Sequence, residues 1–91
     1  MEFEWDADKA ARNRLKHNVS FGEAASALAD PLSTTYPDED HSLGEDRYVT
    51  IGESHRRQLL VVCHTERGDR IRIISARPAT RAERKIYEEG T

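Results

Sequence analysis

Cysteine and long hydrophobic runs are scarce in this sequence of 91 residues, and each shortage excludes a class of protein. The one cysteine, Cys63, rules out an internal disulfide framework, which makes the cytoplasm the expected compartment. No apolar run approaches the roughly 20 residues that span a bilayer, and the first residues are acidic rather than a basic, apolar leader. We therefore expect a soluble protein without membrane contact, folded as one domain over residues 1–91.

Patterns typical of metal sites, phosphate loops and acyl transfer are also missing. The four histidines fall at no recurrent ligand spacing, and a single thiol cannot form a thiolate cluster. The five glycines are scattered rather than gathered into a loop that cradles phosphate. Ser42 and Ser75 have no base at an informative spacing. The sequence thus predicts neither a metal nor a cofactor.

Negative charge dominates the first half of the chain, and positive charge dominates the second. Residues 1–46 hold eleven acidic and four basic side chains, a net −7, whereas residues 47–91 hold six acidic and ten basic ones, a net +4. The overall charge of −3 hides this split. The basic half can offer a surface to phosphate, although simple solvation of strands and a helix explains the same charges.

The patterns that are present predict an α+β fold. Apolar alternation, capping residues and turns predict successive elements, namely a strand over Glu2–Trp5, helices over residues 7–17 and 21–29, a brief strand within Leu32–Tyr36, strands over Arg47–Gly52, Leu59–His64 and Ile71–Ala76, and a helix over residues 80–89. We expect a small antiparallel sheet of three to four strands, with two N-terminal helices and one C-terminal helix on one of its faces.

Local signals mark the ends of the predicted helices. Asp6 is placed to cap the first helix, and Asn18 is placed to end it in the left-handed conformation. Two capping boxes follow, Ser20 with Glu23 and Thr80 with Glu83.

Arg77 stands where the last predicted strand ends and the last helix has not begun. A guanidinium at a strand end can fork onto a phosphate or a carboxylate. Strict alternation puts Arg77 on the same side as Ile71, Ile73 and Ser75, toward the helices, unless a bulge or the strand end frees it.

Arginines, histidines and a few carboxylates are the groups that metal-free RNA cleavage requires. The 2′-hydroxyl must lose a proton, the phosphorane charge must be neutralised, and the leaving 5′-oxygen must gain a proton. Each candidate taken alone also has a structural explanation, such as a cation at a helix C-terminus or a tyrosine packed on a sheet. The candidates are Lys16, His17, Arg47, Tyr48, Glu66, Arg67, Arg72, Arg77 and Tyr87.

The sequence resembles the BrnT family of bacterial toxins over some eighty residues. The matching segments, in order, are Phe3-Glu4-Trp5-Asp6, Lys9-Ala10, Asn13, Lys16-His17-Asn18-Val19-Ser20-Phe21, Glu23-Ala24-Ala25, Asp30-Pro31, His41-Ser42, Glu45-Asp46-Arg47-Tyr48, Ile51-Gly52, Thr65-Glu66-Arg67, Arg72-Ile73-Ile74-Ser75-Ala76-Arg77, Ala79-Thr80, Glu83-Arg84 and Tyr87. One departure is Asn18, where the family usually has glycine; both residues tolerate a left-handed backbone.

This resemblance implies a RelE/ParE-like fold and a metal-independent endoribonuclease that cleaves mRNA and stops translation. It also implies neutralisation by a BrnA-type antitoxin with a ribbon-helix-helix domain. The complex is expected to be a heterotetramer that represses its own operon and reaches operator DNA only through the antitoxin. Two alternatives stay open: a toxin that acts on gyrase, since the ParE branch shares the fold without ribonuclease activity, and a non-catalytic adaptor that binds a DNA-binding partner.

By position in this resemblance, Arg77 is the first choice for stabilising phosphate, followed by Arg67 and Arg47. Lys16 is a further electrostatic contributor. His17 and Glu66 are the expected proton carriers, the alternative being that several cations share the proton transfer. The expected catalytic set is therefore Arg77, Arg67, Arg47, His17, Glu66 and Lys16.

Overall fold

A computed structural model describes residues 2–41 and 44–90 of the chain. The described elements, in order, are β1 (Glu2–Glu4), α1 (Ala7–His17), α2 (Phe21–Leu28), β2 (Thr34–Pro37), one turn of 3₁₀ helix (Glu39–His41), β3 (Arg47–Glu53), β4 (Leu59–Arg67), β5 (Arg70–Pro78) and α3 (Arg81–Glu89). Every predicted helix and strand is present, so the α+β class is confirmed. None of the described helices has both the length and the apolar character that crossing a bilayer requires.

The helix ends lie where their capping residues predicted them. The Asp6 carboxylate accepts hydrogen bonds from the backbone N–H groups of Asp8 and Lys9, at 2.9 and 3.0 Å. Asn18 ends α1 with φ of 57°, so it takes the left-handed conformation predicted for it. Thr80 and Glu83 form a complete capping box at α3. Local chemistry alone is enough to set these boundaries.

The capping box predicted at the start of α2 forms only in part. Ser20 Oγ accepts from the backbone N–H of Glu23 at 3.0 Å. The Glu23 carboxylate, however, is buried and accepts from the Ser54 hydroxyl at 2.7 Å instead of returning to the cap. Burial of a carboxylate requires a partner, and the β3–β4 turn supplies one.

The sheet is larger than predicted and is mixed, not purely antiparallel. In the described residues five strands lie in the order β1-β5-β4-β3-β2. β1 pairs parallel with β5, with Glu2 opposite Arg70 and Glu4 opposite Arg72, and the other pairs are antiparallel. The sequence predicted the strand at Glu2–Trp5 but not its place in the sheet, because nothing local in a three-residue strand identifies a parallel partner some 68 positions away.

A bulge in β5 changes which side its residues face. Cys63 lies opposite Ser75, yet His64 lies opposite Ile73, so Ile74 is an extra residue in the ladder. Ile73 therefore faces one side of the sheet while Ser75 and Arg77 face the other. The prediction that strict alternation groups these residues was wrong for this reason.

Helices cover both faces of the sheet, which corrects the prediction that they share one. The two-helix face is covered by α1 and α2, and its core comprises Val19, Phe21, Ala24, Ala27, Leu60, Val62, Ile73 and Ala76. The α3 face is the opposite side, where Ala79 and Tyr87 pack against Val49, Ile51, Leu59 and Val61. This apolar cluster is the part of the face that α3 covers, and the side chains on the rest of the face are not covered by a described helix.

Asn13 of α1 closes the part of the β5 edge that β1 does not reach. Its amide nitrogen donates to the carbonyl oxygens of Ala76 and Val19, at 2.9 and 3.0 Å, and its amide oxygen accepts from the N–H of Ala76 at 3.1 Å. Asn13 is buried, so these bonds are shielded from water. The side chain thus replaces a neighbouring strand and fixes α1 against β5.

Candidate active site

Five arginines project from the α3 face. Residues directly opposite each other on neighbouring strands point to the same side, and Arg47, Thr65 and Arg72 lie opposite one another across three strands. Arg67 lies opposite Arg70, and Arg77 lies opposite Val61, a core residue of this face. We call the set the arginine face; its members are Arg47, Arg67, Arg70, Arg72 and Arg77.

Carboxylates accompany the arginines at the end of this face away from α3. Glu45 lies 3.2 Å from Arg67 Nη2 and 4.0 Å from Arg47 Nε, so it draws these two side chains together. Glu4 Oε2 lies 2.7 Å from Arg72 Nη1, and Glu2 lies 3.4 Å from Arg70 Nε. These side chains are between a quarter and two thirds exposed. Ion pairs of that exposure contribute about 1 kcal/mol or less, so a phosphate can compete for the arginines.

Arg77 is held in a fixed orientation by Glu83 of α3. Nη1 and Nη2 donate to the two carboxylate oxygens of Glu83 at 2.7 and 2.8 Å, and Nη1 also donates to the carbonyl oxygen of Pro78. The Arg77 hydrogen bonds, opposed by burial, lower the pKa of Glu83 to about 2, and the same contact raises the pKa of Arg77. A guanidinium has five N–H groups, so the Nε–H and one Nη2–H are left for a ligand.

Tyr36, on the edge strand β2, lies on the same side of the sheet as the arginine face. It lies opposite Val49, which places its ring on this side, and it is 38% exposed. Burial raises the pKa of Tyr36, and the nearby charge of Glu83 adds to this effect. Tyr36 and the Arg77–Glu83 pair therefore approach each other although two strands separate them. Sequence reasoning missed Tyr36, because only the register of β2 against β3 places its ring on this side of the sheet.

Lys16 and His17 lie apart from the arginines, at the other edge of the sheet. They line a shallow groove of about 380 Å³ between α1 and β5, together with Lys9, Arg12, Asn13, Ile74 and Ser75. Ser75 lies opposite Cys63 on the α3 face. The groove therefore adjoins the arginine face at Ser75, and His17 is the predicted proton carrier nearer to that face.

Glu66 points away from the arginines. It lies opposite Ile71, which shares the two-helix face with Ile73, and its side chain is exposed. The structure therefore brings Arg47 and Arg67 together around Glu45, and it places Arg77 on the same face. Lys16 and His17 lie at the edge of that face, and Glu66 lies on the opposite side. The predicted set does not converge on one point.

A buried histidine that the sequence did not single out lies beside Glu66. His64 is 5% exposed; its Nε2 lies 2.7 Å from Thr50 Oγ1, which in turn lies 2.6 Å from Thr35 Oγ1. Its ring stacks on Tyr48 with 5.9 Å between ring centroids. Burial lowers the pKa of His64, while the charge of Glu66 acts in the opposite direction. His64 belongs to the interior of the two-helix face, so it does not contribute to the arginine face.

Metal ligands do not come together in residues 2–41 and 44–90, where no three His, Cys, Asp or Glu side chains are arranged to hold an ion. Ser42, one of the two serines considered as nucleophiles, lies outside the described residues. The arginine face thus offers cationic hydrogen-bond donors, one phenol and flanking carboxylates. This inventory suits the binding of an extended phosphodiester.

Comparison with known proteins agrees with this inventory. A family model described as the ribonuclease toxin BrnT of type II toxin-antitoxin systems matches residues 5–83. Among solved structures, the chain is similar to the 1.1 Å crystal structure of the Brucella abortus ribonuclease toxin BrnT. The two share 24% identity over 89% of this chain and 99% of that one, with a TM-score of 0.69, which shows a common fold. No curated protein sequence gives a significant match.

The family match spans most of the chain, and it confirms the resemblance seen in the sequence. A type II system pairs its toxin with a protein antitoxin, so such a partner is implied here as well. The chain belongs to the BrnT family of ribonuclease toxins of type II toxin-antitoxin systems.

Proposed function

We propose that this toxin is a metal-independent endoribonuclease that cleaves mRNA in the cytoplasm and so inhibits translation, and that residues 1–91 act as a single toxin domain. The observation that carries the proposal is the alignment of five arginines on one face of the sheet, with Arg77 oriented by Glu83. An RNA strand laid across this face meets cationic donors along its backbone. Such donors can neutralise the extra charge of a phosphorane without a metal ion.

In this mechanism Arg77 stabilises the phosphorane with the Nε–H and Nη2–H groups that Glu83 leaves available. Arg47 and Arg67 bind the neighbouring phosphates by displacing Glu45. The 2′-oxygen attacks phosphorus, the bond to the 5′-oxygen breaks, and the products are a 2′,3′-cyclic phosphate and a 5′-hydroxyl. His17, at the edge of the face, moves a proton in this step, and Lys16 adds positive potential. Glu66, on the opposite side, takes no part.

The proposal includes the partner. A BrnA-type antitoxin with a ribbon-helix-helix domain covers the arginine face and thereby blocks access of RNA. The toxin and antitoxin form a heterotetramer that represses its own operon, with all operator contacts made by the antitoxin. The family resemblance supports this arrangement, and an exposed cationic face gives an acidic antitoxin segment a surface to bind.

The test is cleavage of end-labelled RNA by purified toxin with and without EDTA. We expect cleavage to be unaffected by EDTA and to fall about 100-fold or more in Arg77→Ala, since loss of one preorganised charge-stabilising donor has effects of that size. Arg77→Lys keeps the charge but loses the fork, so it should be intermediate at best. Arg84→Ala, which removes an exposed arginine of α3, is the matched control and should cleave normally.

Three results would contradict the proposal. Cleavage that requires a divalent ion excludes the metal-independent mechanism. Intact RNA together with damaged DNA after induction in cells favours action on gyrase. Absence of toxicity, with antitoxin binding retained, favours the adaptor. Circular dichroism of Arg77→Ala shows whether the loss of the Glu83 contact has unfolded α3 instead of disabling the site.

A further inference from the structure

Three cations on one side of α1 differ from the arginines of the sheet in that no ion pair within 4.0 Å joins them to a carboxylate among the described residues. Lys9, Arg12 and Lys16 are spaced by three and four residues, so they share one side of the helix, and all three are exposed. No ion pair within 4.0 Å involves any of them in the part of the chain that the structure describes. We call these three residues the α1 row. Their charges are available to a ligand without displacing an internal partner.

No acidic side chain is among the described residues that line the groove of the row, although Asp8 precedes Arg12 by four residues on α1. α1 contributes Asn13 and His17 beside the three cations, and β5 contributes Ile74 and Ser75. Asp6 acts on Lys9 electrostatically but does not line the groove. Negative potential at the helix C-terminus attracts cations only within the last turn, which here contains Lys16 but neither Lys9 nor Arg12. The helix dipole therefore does not explain the whole row.

The row is continuous with the arginine face. Ser75 lines the groove of the α1 row and projects on the α3 face two residues from Arg77. Seven residues of helix separate Lys9 from Lys16, a length of about 10 Å. An extended strand that crosses the arginine face can thus pass over Ser75 and continue along α1.

We propose that the α1 row is a second phosphate-binding surface, which holds the RNA backbone beside the cleavage point. This inference rests on the proposed ribonuclease function and extends its substrate-binding surface. RNA suits the groove better than a protein does, because protein interfaces need an apolar centre and Ile74 is the one large apolar residue in the lining. The contacts are to phosphate, so they hold the strand without selecting its sequence.

The test compares two double variants of equal charge. Lys9→Gln/Arg12→Gln removes the two members of the row that take no part in the proposed cleavage step. The control, Arg14→Gln/Lys85→Gln, removes two exposed cations elsewhere: Arg14 lines a different groove of α1, with Trp5 and Ser20, and Lys85 lies on α3. Glutamine has nearly the helix propensity of the residues it replaces, and circular dichroism checks that both variants are folded.

The first measurement is binding of a 2′-O-methyl RNA oligonucleotide, which cannot be cleaved through its 2′-oxygen, at several salt concentrations. Each phosphate contact to a single strand contributes about 0.7 to the slope of log K against log salt, so the row variant should lose about 1.4 and the control nothing. The second measurement is cleavage, in which the row variant should raise KM by a larger factor than it lowers kcat.

Equal salt slopes for the two variants would overturn the inference. So would a row variant that keeps its RNA affinity but loses its affinity for the antitoxin, because the row would then be a partner surface. Failure of the proposed function gives a different pattern: the wild type binds the oligonucleotide through the row but cleaves no RNA. The two ideas therefore fail separately.

Discussion

At the scale of single residues, His64 makes the stability of the fold depend on pH. Its Nδ1 is buried without a hydrogen-bond partner among the described residues, and its Nε2 is committed to Thr50. Because burial lowers the pKa of His64 in the folded state, the unfolded state binds the proton first as the pH falls. Stability is therefore present above pH 6.5, the ordinary pKa of histidine, and is lost as the pH falls below it.

We expect the free energy of unfolding to decrease from pH 7.5 to pH 5.5 by at most about 1.4 kcal/mol per pH unit. In His64→Gln this decrease should disappear, and in His55→Gln, a change at an exposed histidine, it should remain. Urea unfolding of each protein at pH 7.5 and pH 5.5 measures this decrease in the free energy of unfolding. The lowered pKa values of Glu83 and Asp30 act at lower pH and do not interfere. An unchanged pH dependence in His64→Gln would show that the loss of stability has another source.

The position of Gly52 leaves no room for a side chain, because the backbone of Ala27 lies against it. A Cβ atom at this position would overlap the carbonyl oxygen of Ala27, because the backbone of α2 lies directly on β3. Gly52→Ala should therefore lower the free energy of unfolding by about 1 to 3 kcal/mol, the usual effect of overpacking.

Gly22→Ala is the matched control for Gly52→Ala. Gly22 lies in α2, and its nearest neighbouring atom, Ser20 Oγ, would be 3.9 Å from a new Cβ. Alanine favours the helix by up to about 1 kcal/mol over glycine, so this variant should be more stable than the wild type. Equal effects of the two substitutions would mean that α2 lies farther from the sheet.

At the scale of elements, α3 is anchored at both ends by contacts to carboxylates. Near its start, Arg77 forks onto Glu83, and near its end the Tyr87 hydroxyl donates to Asp30 at 2.7 Å. Asp30 also accepts from the backbone N–H groups of Leu32 and Glu53. These hydrogen bonds outweigh burial and lower the pKa of Asp30. The Asp30 carboxylate thus joins three parts of the fold, namely α3, the loop that follows α2, and strand β3.

Tyr87→Phe should lower the free energy of unfolding by about 1 kcal/mol, since one hydrogen bond to a partly exposed carboxylate is lost. The hydrogen bond to Asp30 raises the pKa of Tyr87 to about 12. The stability contributed by this bond is therefore complete below pH 10 and is lost as the pH rises toward 12. Absorbance titration should show this late ionisation in the wild type and a return toward the ordinary value in Asp30→Asn. If the pKa of Tyr87 is the same in Asp30→Asn as in the wild type, the hydrogen bond between Tyr87 and Asp30 is contradicted.

The limits of inference from sequence also follow from the elements. Asp6, Asn18 and Thr80 act on their own backbone neighbours, so the helix ends could be predicted from local chemistry. The bulge at Ile74 and the parallel pairing of β1 depend on contacts far apart in the chain, and no local pattern encodes them. Arg77 was identifiable by its position at a strand end, whereas Tyr36 gains meaning only once the register places it on the arginine face.

At the scale of the whole molecule, one face of the sheet holds the main hydrophobic core and the other face carries the arginines. The two-helix face is the larger core and buries polar groups such as His64 and Glu23 with their partners. The α3 face is apolar beneath α3, and elsewhere it carries five arginines paired with carboxylates. The net charge of −3 gives no sign of these arginines. The acidic surplus of residues 1–46 lies outside the strands that carry them, except where Glu2, Glu4 and Glu45 pair with them. A protein of acidic composition can therefore gather five guanidinium groups on one face of its sheet.

The position of β5 between β1 and β4 has a consequence for synthesis. A nascent chain that has emerged only as far as β4 lacks Arg70, Arg72 and Arg77, and β1 has no strand to pair with. The sheet can be completed only after β5, which carries three of the five residues of the arginine face, has been synthesised. A chain interrupted before β5 therefore has neither the central pairing that joins β1 to β4 nor a complete arginine face.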